Sequence, residues 1–356
     1  MRKTIPLLIL LVLGLSGLSR AQNDTFRNPL LESGPDPWVL RHEGMYYFMA
    51  TSGGRKLVLH RTADMTDLQG AETKTVWTAT AEGNQANARD LWAPEIHFLD
   101  GRWYIYYSSA GGRLRYHQLY VLENANADPF QGEFTMKGRV STDSNDSWAI
   151  DGSLFSHRGS LYLIWSGWQT YSAPGQTTTQ CIYIARMADP LTLSSERVLL
   201  SRPELEWERR NIVEGGGGPN HAVYVNEGPQ ALIGPRGRYV HIVYSASACW
   251  TPDYCLGMLS ARADADLLDP RSWSKSPRPV FEASPTAGVY GPGHNGFFCS
   301  PDGKEEYIVY HARDTKMKSS PRSPRMQRFT WDRRDFPRFG SPVATSQPLP
   351  KPSGTK

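Results

Sequence analysis

The stretch Gly34-Pro35-Asp36-Pro37-Trp38-Val39-Leu40 holds an acidic residue between two prolines, directly before an apolar run. A turn at His42-Glu43-Gly44 follows, and the chain returns through the aromatic-rich run Met45 to Ser52. Short runs of aromatic and β-branched residues separated by a glycine turn are typical of a β-hairpin. This stretch therefore predicts a hairpin whose first strand is opened by a carboxylate.

The same arrangement recurs along the chain, in residues 92–109, 149–166, 226–245 and 291–311. Each copy has a polar residue near an apolar run, a turn containing glycine, and a second run of strand-forming residues. The polar residues are Asp36, Glu95, Asp151, Glu227 and His294, spaced 59, 56, 76 and 67 residues apart. Such a period holds about four strands of 5 to 6 residues with their turns, the size of one propeller blade. We therefore predict an all-β chain whose blades fill residues 22–340; a β-sandwich with similar hairpins is the alternative.

The repeat also predicts a site. The innermost strand of each propeller blade lines the central channel, so equivalent positions converge at one mouth of it. Asp36, Asp151 and Glu227 would then face one another, although converging carboxylates repel and are costly to desolvate. Because folding gains nothing from gathering them, we expect them to be catalytic. Singly, each has a plainer explanation: Asp36 as a turn residue, Asp151 as an Asx turn before Gly152, and Glu227 as a capping carboxylate.

Aromatic residues make up 11% of the chain. Most of them are expected to pack the blades together. Trp92, beside Pro94 and Glu95, is the candidate for a ring that offers its face to a sugar.

The N-terminus carries Arg2 and Lys3, an apolar run from Leu7 to Leu15, and a small-x-small site at 19–21. This pattern predicts a secretory signal peptide over residues 1–21. A membrane anchor is the alternative, but the run is shorter than the roughly 20 residues that span a bilayer. We expect a secreted or periplasmic protein without a membrane anchor.

Without residues 1–21 the chain has 36 basic and 35 acidic side chains, so its charges nearly balance. This balance gives no electrostatic reason to expect nucleic acid as a partner. From residue 341 the sequence is rich in proline, serine and threonine, which predicts a flexible C-terminal tail over residues 341–356.

Four cysteines in an exported chain raise the question of disulfides. Cys249 and Cys255 are close in sequence, and we predict a bond that stiffens the loop between them. This loop and the long insertion before Glu227 are expected to wall off the pocket in which the three carboxylates meet. Cys181 and Cys299 lie in strand-like sequence and are expected to be buried free thiols.

Taken together, the sequence resembles glycoside hydrolase family 43 over nearly the whole exported chain. The resemblance is carried by five motifs, Gly-Pro-Asp36-Pro-Trp, Trp92-Ala-Pro-Glu95, Ile-Asp151-Gly-Ser-Leu, Asn-Glu227-Gly-Pro and Gly-Pro-Gly-His294-Asn. The runs Val225 to Leu232 and Ser245 to Cys255 are similar to those of exo-acting α-L-arabinofuranosidases that attack 1,5-linked arabinan.

This resemblance implies a five-bladed β-propeller. It also implies hydrolysis of a plant cell-wall polysaccharide or oligosaccharide, arabinan or arabinoxylan, with inversion of the anomeric configuration. Asp36 would be the general base and Glu227 the general acid. An ionised Asp151 would orient Glu227 and raise its pKa by like-charge repulsion.

The resemblance also implies two ligand-binding positions. His294 would help to hold a calcium ion on the propeller axis through water, although calcium prefers oxygen ligands and His294 could equally be a hydrogen-bonded channel residue. Arg325, on the last strand, would reach a substrate hydroxyl; a solvated arginine is the alternative.

Rival functions remain open at this stage. A β-xylosidase or an endo-arabinanase could use the same fold, because linkage preference depends on the rim loops. A propeller that binds sugar without cutting it is less in keeping with three carboxylates. A fructan-cleaving propeller would need an Asn-Asp-Pro-Asn opening, whereas here Asp36 follows Gly-Pro.

Overall fold

The computed structural model describes residues 24–79, 89–110, 117–145, 147–169, 179–210 and 223–355, and it is built from β-strands. The predicted signal peptide lies outside these residues. Within them, no helix is long and apolar enough to cross a membrane. The all-β prediction is confirmed.

Among the described residues, the strands after β1 (Thr25–Phe26) fall into five successive groups, numbered 1 to 5. Group 1 contains β2 (Trp38–His42), β3 (Met45–Met49), β4 (Lys56–Thr62) and β5 (Glu72–Thr78). Group 2 contains β6 (Trp92–Leu99), β7 (Arg102–Ser109), β8 (Gln118–Asn124) and β9 (Thr135–Val140). Group 3 contains β10 (Ala149–His157), β11 (Ser160–Trp168), β12 (Thr179–Asp189), β13 (Thr192–Leu193) and β14 (Val198–Ser201).

Group 4 contains β15 (Tyr224–Ile233), β16 (Tyr239–Ala246), β17 (Cys255–Arg262) and β18 (Trp273–Lys275). Group 5 contains β19 (Tyr290–Cys299), β20 (Glu306–Arg313), β21 (Ser323–Trp331) and β22 (Pro337–Arg338), and the chain ends with β23 (Leu349–Pro350). In the part of the chain that the structure describes, short 3-10 turns cover Met65–Asp67, Glu206–Arg209, Pro270–Ser272 and Pro285–Ala287.

Within each group, strands that follow one another pair antiparallel, except that β13 and β14 of group 3 both pair with β12. Groups 3 and 4 are joined into one sheet by a short parallel pairing of β12 with β15 at Thr179 and Gln180. Apolar clusters fill the spaces between neighbouring groups, and one of them joins β3 of group 1 to β20 of group 5. Trp103 and Trp165 are fully buried in these clusters. Truncating such a side chain to alanine typically costs about 3–5 kcal/mol.

The first strands of the groups lie next to one another. β2 contacts β6, β6 contacts β10, β10 contacts β15, β15 contacts β19, and β19 contacts β2. Residues near the start of each first strand are thereby brought to the same end of the structure.

Each first strand has a residue in the left-handed region near its start, two residues before β2 and within the first five residues of the other four strands. These residues are Asp36, Ala93, Asp151, Gly228 and His294, with φ of 61°, 44°, 55°, 54° and 48°. In groups 2 to 5 the pairing register shifts at this point, as in a β-bulge. Bulges of this kind re-aim side chains, and a non-glycine residue in this conformation costs of order 1–3 kcal/mol.

A side chain of the preceding group accepts a hydrogen bond from the backbone N–H of each of these residues. The acceptors are His311 Nδ1 for Asp36, Thr51 Oγ1 for Ala93, Ser108 Oγ for Asp151, Asp151 Oδ2 for Gly228 and Ser245 Oγ for His294. The distances from nitrogen to acceptor are 2.8–3.1 Å. The strained positions are therefore fixed from one group to the next, and from the last group to the first.

The C-terminal segment differs from its prediction as a flexible tail. β23 pairs with β1, Lys351 bonds Asp64 at 3.0 Å, and the hydroxyl of Ser353 bonds Asp302 at 2.6 Å. Pro342 and Pro352 are buried. Composition suggested disorder, but the backbone and side-chain contacts of residues 341–355 fix the segment against groups 1 and 5.

Candidate active site

The carboxylate of Asp36 is buried and surrounded by donors. Thr51 Oγ1 donates a hydrogen bond of 2.7 Å to its Oδ2, and Arg322 Nη1 donates one of 3.1 Å to its Oδ1. His294 Nδ1 and His311 Nδ1 lie 3.4 and 3.6 Å from Oδ1. Burial alone would raise the pKa of Asp36, but the positive charge of Arg322 and the other partners hold it well below its usual range. Asp36 is therefore an anion at neutral pH.

The pKa of Glu227 is shifted in the opposite direction. Within the described residues, the hydroxyl of Tyr254 donates a hydrogen bond of 2.8 Å to Oε1 of Glu227. Burial and the negative charge of Asp36 raise the pKa of Glu227 to about 7, against the opposing effect of the Tyr254 hydrogen bond. A carboxyl with this pKa keeps its proton for a large fraction of the time near neutral pH.

Asp151 interacts electrostatically with both Glu227 and Asp36. Its backbone N–H is held by Ser108, and its Oδ2 accepts a hydrogen bond of 2.9 Å from the N–H of Gly228, next to Glu227. Burial, and then repulsion from Glu227 and Asp36, raises the pKa of Asp151 well above its usual value. The sequence resemblance implied an ionised Asp151, whereas in the structure burial and these two negative charges favour its protonated form.

The three predicted carboxylates therefore occupy one site, but they do not occupy one repeat position. Asp36, Asp151 and His294 share the left-handed position, while Glu227 lies one residue before it and Glu95 lies two residues after it. Glu95 instead accepts a hydrogen bond from Gln230 and lies 3.2 Å from His97 Nε2. The correspondence inferred from sequence was wrong for both glutamates because the left-handed residues of their strands are Ala93 and Gly228.

Trp92 lies at the start of β6, at the same end of the first strands as Asp151. Its ring stacks on His117, with centroids 3.9 Å apart and planes 26° apart. The row continues through Trp148 to Trp168, whose rings stack with centroids 4.9 Å apart. One face of Trp92 is thus covered by His117, so a sugar could stack only on the other face.

Arg325 is fully buried, and its Nη2 bonds Asp314 Oδ1 at 2.6 Å. Within the described chain its Nε and Nη1 have no hydrogen-bond partner. The structure does not bring Arg325 into contact with Asp36, whereas Arg322, three residues earlier, makes that contact.

His294 lies against Asp36 at the centre of the site, and burial lowers its pKa. Calcium takes 6–8 oxygen ligands. In the described part of the chain, no group of three or more histidine, cysteine or acidic side chains could hold a metal ion. The side chains around His294 therefore do not form a calcium site by themselves, and a calcium ion there stays a prediction that requires water ligands.

Several residues of the site were missed in the sequence: Arg322, Thr51, Tyr254 and His311. Thr51 and His311 lie at or near the ends of second strands, where Ser108 and Ser245 also occur, so this recurring position was a usable signal. Tyr254 lies inside the loop between Cys249 and Cys255. Arg322 is 286 residues from Asp36 and lies in no repeated motif.

The predicted disulfide is wrong, because all four cysteines are free. Cys255 begins β17 and faces the apolar cluster between groups 3 and 4, where its Sγ lies 3.9 Å from the carbonyl oxygen of Ala246. Cys249 lies on a turn, close enough to Glu227 and Asp36 for their charges to affect its pKa. Cys181 is a buried free thiol as predicted, whereas Cys299 is exposed.

Part of the insertion before Glu227 contacts the residue that precedes Glu227. Its run Gly215 to Gly218 lies outside the described residues, but Glu208 in the 3-10 turn is fully buried. Glu208 accepts hydrogen bonds from Asn226 at 3.1 Å and Tyr244 at 2.9 Å, and Lys275 lies 3.2 Å away. These contacts fix the residue that precedes Glu227.

The site thus combines a carboxylate held as an anion with a carboxyl that retains a proton near neutral pH. Such a pair can remove a proton from one group and deliver a proton to another in the same reaction. This is the capacity that hydrolysis of an acetal or ester requires.

The sequence matches the family described as glycosyl hydrolases family 43 over residues 26–337. An extracellular exo-α-(1→5)-L-arabinofuranosidase of Streptomyces avermitilis is 39% identical over 329 residues, which are 90% of this chain and 64% of that protein. An enzyme of the same name from Streptomyces chartreusis is 38% identical, over 82% of this chain and 83% of that protein.

The crystal structure of an α-L-arabinofuranosidase from Lactobacillus brevis is 34% identical to this chain, with a TM-score of 0.81. The match covers 90% of this chain and 98% of that structure. The chain spans less than two thirds of the length of the S. avermitilis relative.

Proposed function

This chain belongs to glycosyl hydrolase family 43, and from this premise we propose that it releases terminal α-L-arabinofuranose from 1,5-linked arabinan and arabino-oligosaccharides with inversion. The observation that carries the proposal is the opposite protonation of Asp36 and Glu227. Partners lower the pKa of Asp36, while burial raises that of Glu227 to about 7. The names of the two Streptomyces relatives support the choice of sugar and linkage.

In the proposed reaction Glu227 donates its proton to the oxygen of the glycosidic bond as that bond breaks. Asp36 accepts a proton from the water that forms the new bond to the anomeric carbon. The products are arabinose and the shortened chain, with Glu227 now ionised and Asp36 protonated; exchange with solvent restores both. Water must fit between Asp36 and the sugar, so we expect the two carboxyl groups roughly 6.5–9.5 Å apart.

The neighbours of the two carboxyls have distinct tasks in this account. Arg322 and Thr51 keep Asp36 ionised and fix its orientation through their hydrogen bonds. Tyr254 fixes Oε1 of Glu227 and limits the rise in its pKa. Asp151 holds the backbone beside Glu227 through the N–H of Gly228, and its negative charge, when present, disfavours a second negative charge on Glu227.

The same proposal includes a five-bladed β-propeller in which each strand group is one blade. Support comes from the contacts of the five first strands, which return from β19 to β2. A second support is the hydrogen bond that His311 of the last group accepts from the backbone N–H of Asp36 in the first. In a closed ring of blades the first strands line the channel, which accounts for carboxylates so distant in sequence meeting there.

Release of single sugars requires a pocket that is closed beyond the terminal residue. The loop from Cys249 to Tyr254 lies beside Glu227, and it is one candidate for that wall. We further propose that residues 1–21 direct export, in agreement with the extracellular relatives named above.

An endo-acting arabinanase is the second candidate. It is favoured by a relative in Aspergillus clavatus, named a probable arabinan endo-1,5-α-L-arabinosidase, that is 24% identical over 85% of this chain. Early digestion of linear 1,5-arabinan distinguishes the two. Exo action gives arabinose as the main early product, whereas early release of longer oligosaccharides would contradict it. Aryl α-L-arabinofuranoside and aryl β-D-xyloside, tested in parallel, distinguish an arabinofuranosidase from a β-xylosidase.

A further inference from the structure

A cavity lies far from the carboxylates. Its volume is about 690 Å³. The lining comes from the hairpin turns of groups 3 and 4 and from residues near the end of β17; the turn residues are His157, Arg158, Gly237, Arg238 and Tyr239. Asp151 lies near the start of β10 and His157 at its end. Six residues of strand correspond to roughly 20 Å, so the cavity is on the opposite face from the site.

The lining is strongly basic. Four arginines, Arg158, Arg238, Arg262 and Arg334, contribute to it, together with one carboxylate, Asp264. Because the acidic and basic residues of the exported chain nearly balance, this excess of positive charge is local.

All four arginines of the lining are exposed to solvent. The side chains of Arg262 and Arg334 are 67% and 81% exposed. Arg262 forms an ion pair with Asp264, and the charge of Arg158 also acts on that carboxylate. Arg334 lies 3.9 Å from Asp332. Exposed pairs of this kind are weak because both ions remain solvated, so an incoming anion can compete for the arginines.

One wall of the cavity is aromatic. The ring of Tyr239 stacks on His241, with centroids 5.8 Å apart, and packs against Phe336 at 5.0 Å. His241 is itself fixed by hydrogen bonds of 2.8 Å to Ser260 and to the carbonyl oxygen of Asp335. Tyr239 is therefore held in one orientation among the arginines.

We propose that this basic cavity, defined by Arg158, Arg238, Tyr239, Arg262 and Arg334, binds an acidic oligosaccharide through the carboxylates of uronic-acid residues. Guanidinium groups bind carboxylates in a bidentate geometry, and an aromatic ring accommodates the apolar face of a sugar. The volume lies within the range of about 300–1,000 Å³ that is usual for ligand pockets. The choice of a carbohydrate among anions rests on the proposed function. The carbohydrate must be acidic, because a neutral arabinan has no group that pairs with these arginines. A chain that carries both kinds of sugar would be held here while its neutral part reaches the opposite face.

Isothermal titration calorimetry with tetragalacturonate at low ionic strength tests the proposal on the exported full chain. We expect saturable binding to the wild type that weakens as salt is added. Binding should weaken at least tenfold in the double variant Arg238→Ala/Arg262→Ala. Arg158→Gln, a single change on a hairpin turn, should weaken it in the same direction and guards against misfolding of the double variant.

Arg328→Ala is the matched control, because Arg328 is 55% exposed, pairs with Glu305 and does not line the cavity. It should bind tetragalacturonate as the wild type does. Neutral arabinotetraose should not compete for this site. Hydrolysis of aryl arabinofuranoside should be unchanged in all the variants, which separates this test from that of the proposed function.

Three results would overturn the proposal. These are equal loss of binding in Arg328→Ala, unchanged binding in both cavity variants, and displacement of tetragalacturonate by equimolar inorganic phosphate or a DNA oligonucleotide. The last result would assign the cavity to anions in general. Binding that follows the expected pattern in a protein that fails to cleave arabinan would support the cavity and contradict only the proposed function.

Discussion

The hydroxyl of Tyr254 donates a hydrogen bond of 2.8 Å to Oε1 of Glu227, and the ring of Tyr254 stacks on His311 at a centroid distance of 5.6 Å. His311 in turn accepts the backbone N–H of Asp36. One aromatic contact thus connects the supports of the two carboxyls to which we assign opposite roles. Tyr254 acts on the pKa of Glu227 and Arg322 acts on the pKa of both carboxyls, so changes at these two residues make different predictions for the pH profile.

Tyr254→Phe should move the alkaline limb of the pH profile upward. The hydrogen bond stabilises the ionised form of Glu227 and so lowers its pKa. Its loss raises that pKa, and the acid remains protonated to higher pH. The measurement is kcat/KM against pH, and a downward shift of the alkaline limb would refute this assignment. Tyr307→Phe is the control, because it removes a tyrosine hydroxyl bonded to Glu305 without touching the site.

Arg322→Gln should move both limbs of the same profile upward. Its charge lowers the pKa of Asp36 and also that of Glu227. Without it, Asp36 becomes protonated at higher pH, so activity at acidic pH falls, while Glu227 holds its proton longer. Arg328→Gln, which removes a charge elsewhere, should leave both limbs in place. Movement of the alkaline limb alone would show that Arg322 does not act on Asp36.

The four cysteines should all react with iodoacetamide in denatured protein that has not been reduced, because the structure has them as free thiols. Intact mass should increase by four carbamidomethyl groups. An increase of two groups, with Cys249 and Cys255 unmodified in the peptide map, would restore the disulfide that their spacing suggested.

The local parts of the fold and site were predictable from sequence. Asp36 and Asp151 were identified because each opens a strand in a recurring motif, and the structure gives them the same left-handed backbone. Glu227 was identified as a site residue but placed in the wrong register, because a bulge cannot be located from residue types alone.

The contacts between distant segments were not predictable. Arg322 reaches Asp36 only because the last strand group packs against the first, and no motif marks it. Spacing alone suggested the bond between Cys249 and Cys255, whereas the direction of each side chain depends on the start of β17. The proline-rich C-terminal segment is ordered by pairing with β1, a partner more than 300 residues away.

Glu227→Ala should slow the hydrolysis of arabino-oligosaccharides far more than that of substrates with activated aryl leaving groups. An alkoxide leaving group needs the proton, and general acid catalysis typically contributes about 10²–10⁴-fold. Asp36→Ala should slow both kinds of substrate equally, since no leaving group replaces the base. Comparison of kcat/KM across a series of aryl leaving groups tests this. Equal losses in Glu227→Ala for good and poor leaving groups would remove its role as the acid.

Proton NMR of the first product formed from an α-L-arabinofuranoside tests the central claim most directly. If Asp36 activates a water on the face opposite the leaving oxygen, arabinose must first appear as the β-anomer, and the α-anomer should grow in only by mutarotation. Initial appearance of the α-anomer would mean a covalent intermediate and retention, and it would contradict the roles assigned to Asp36 and Glu227.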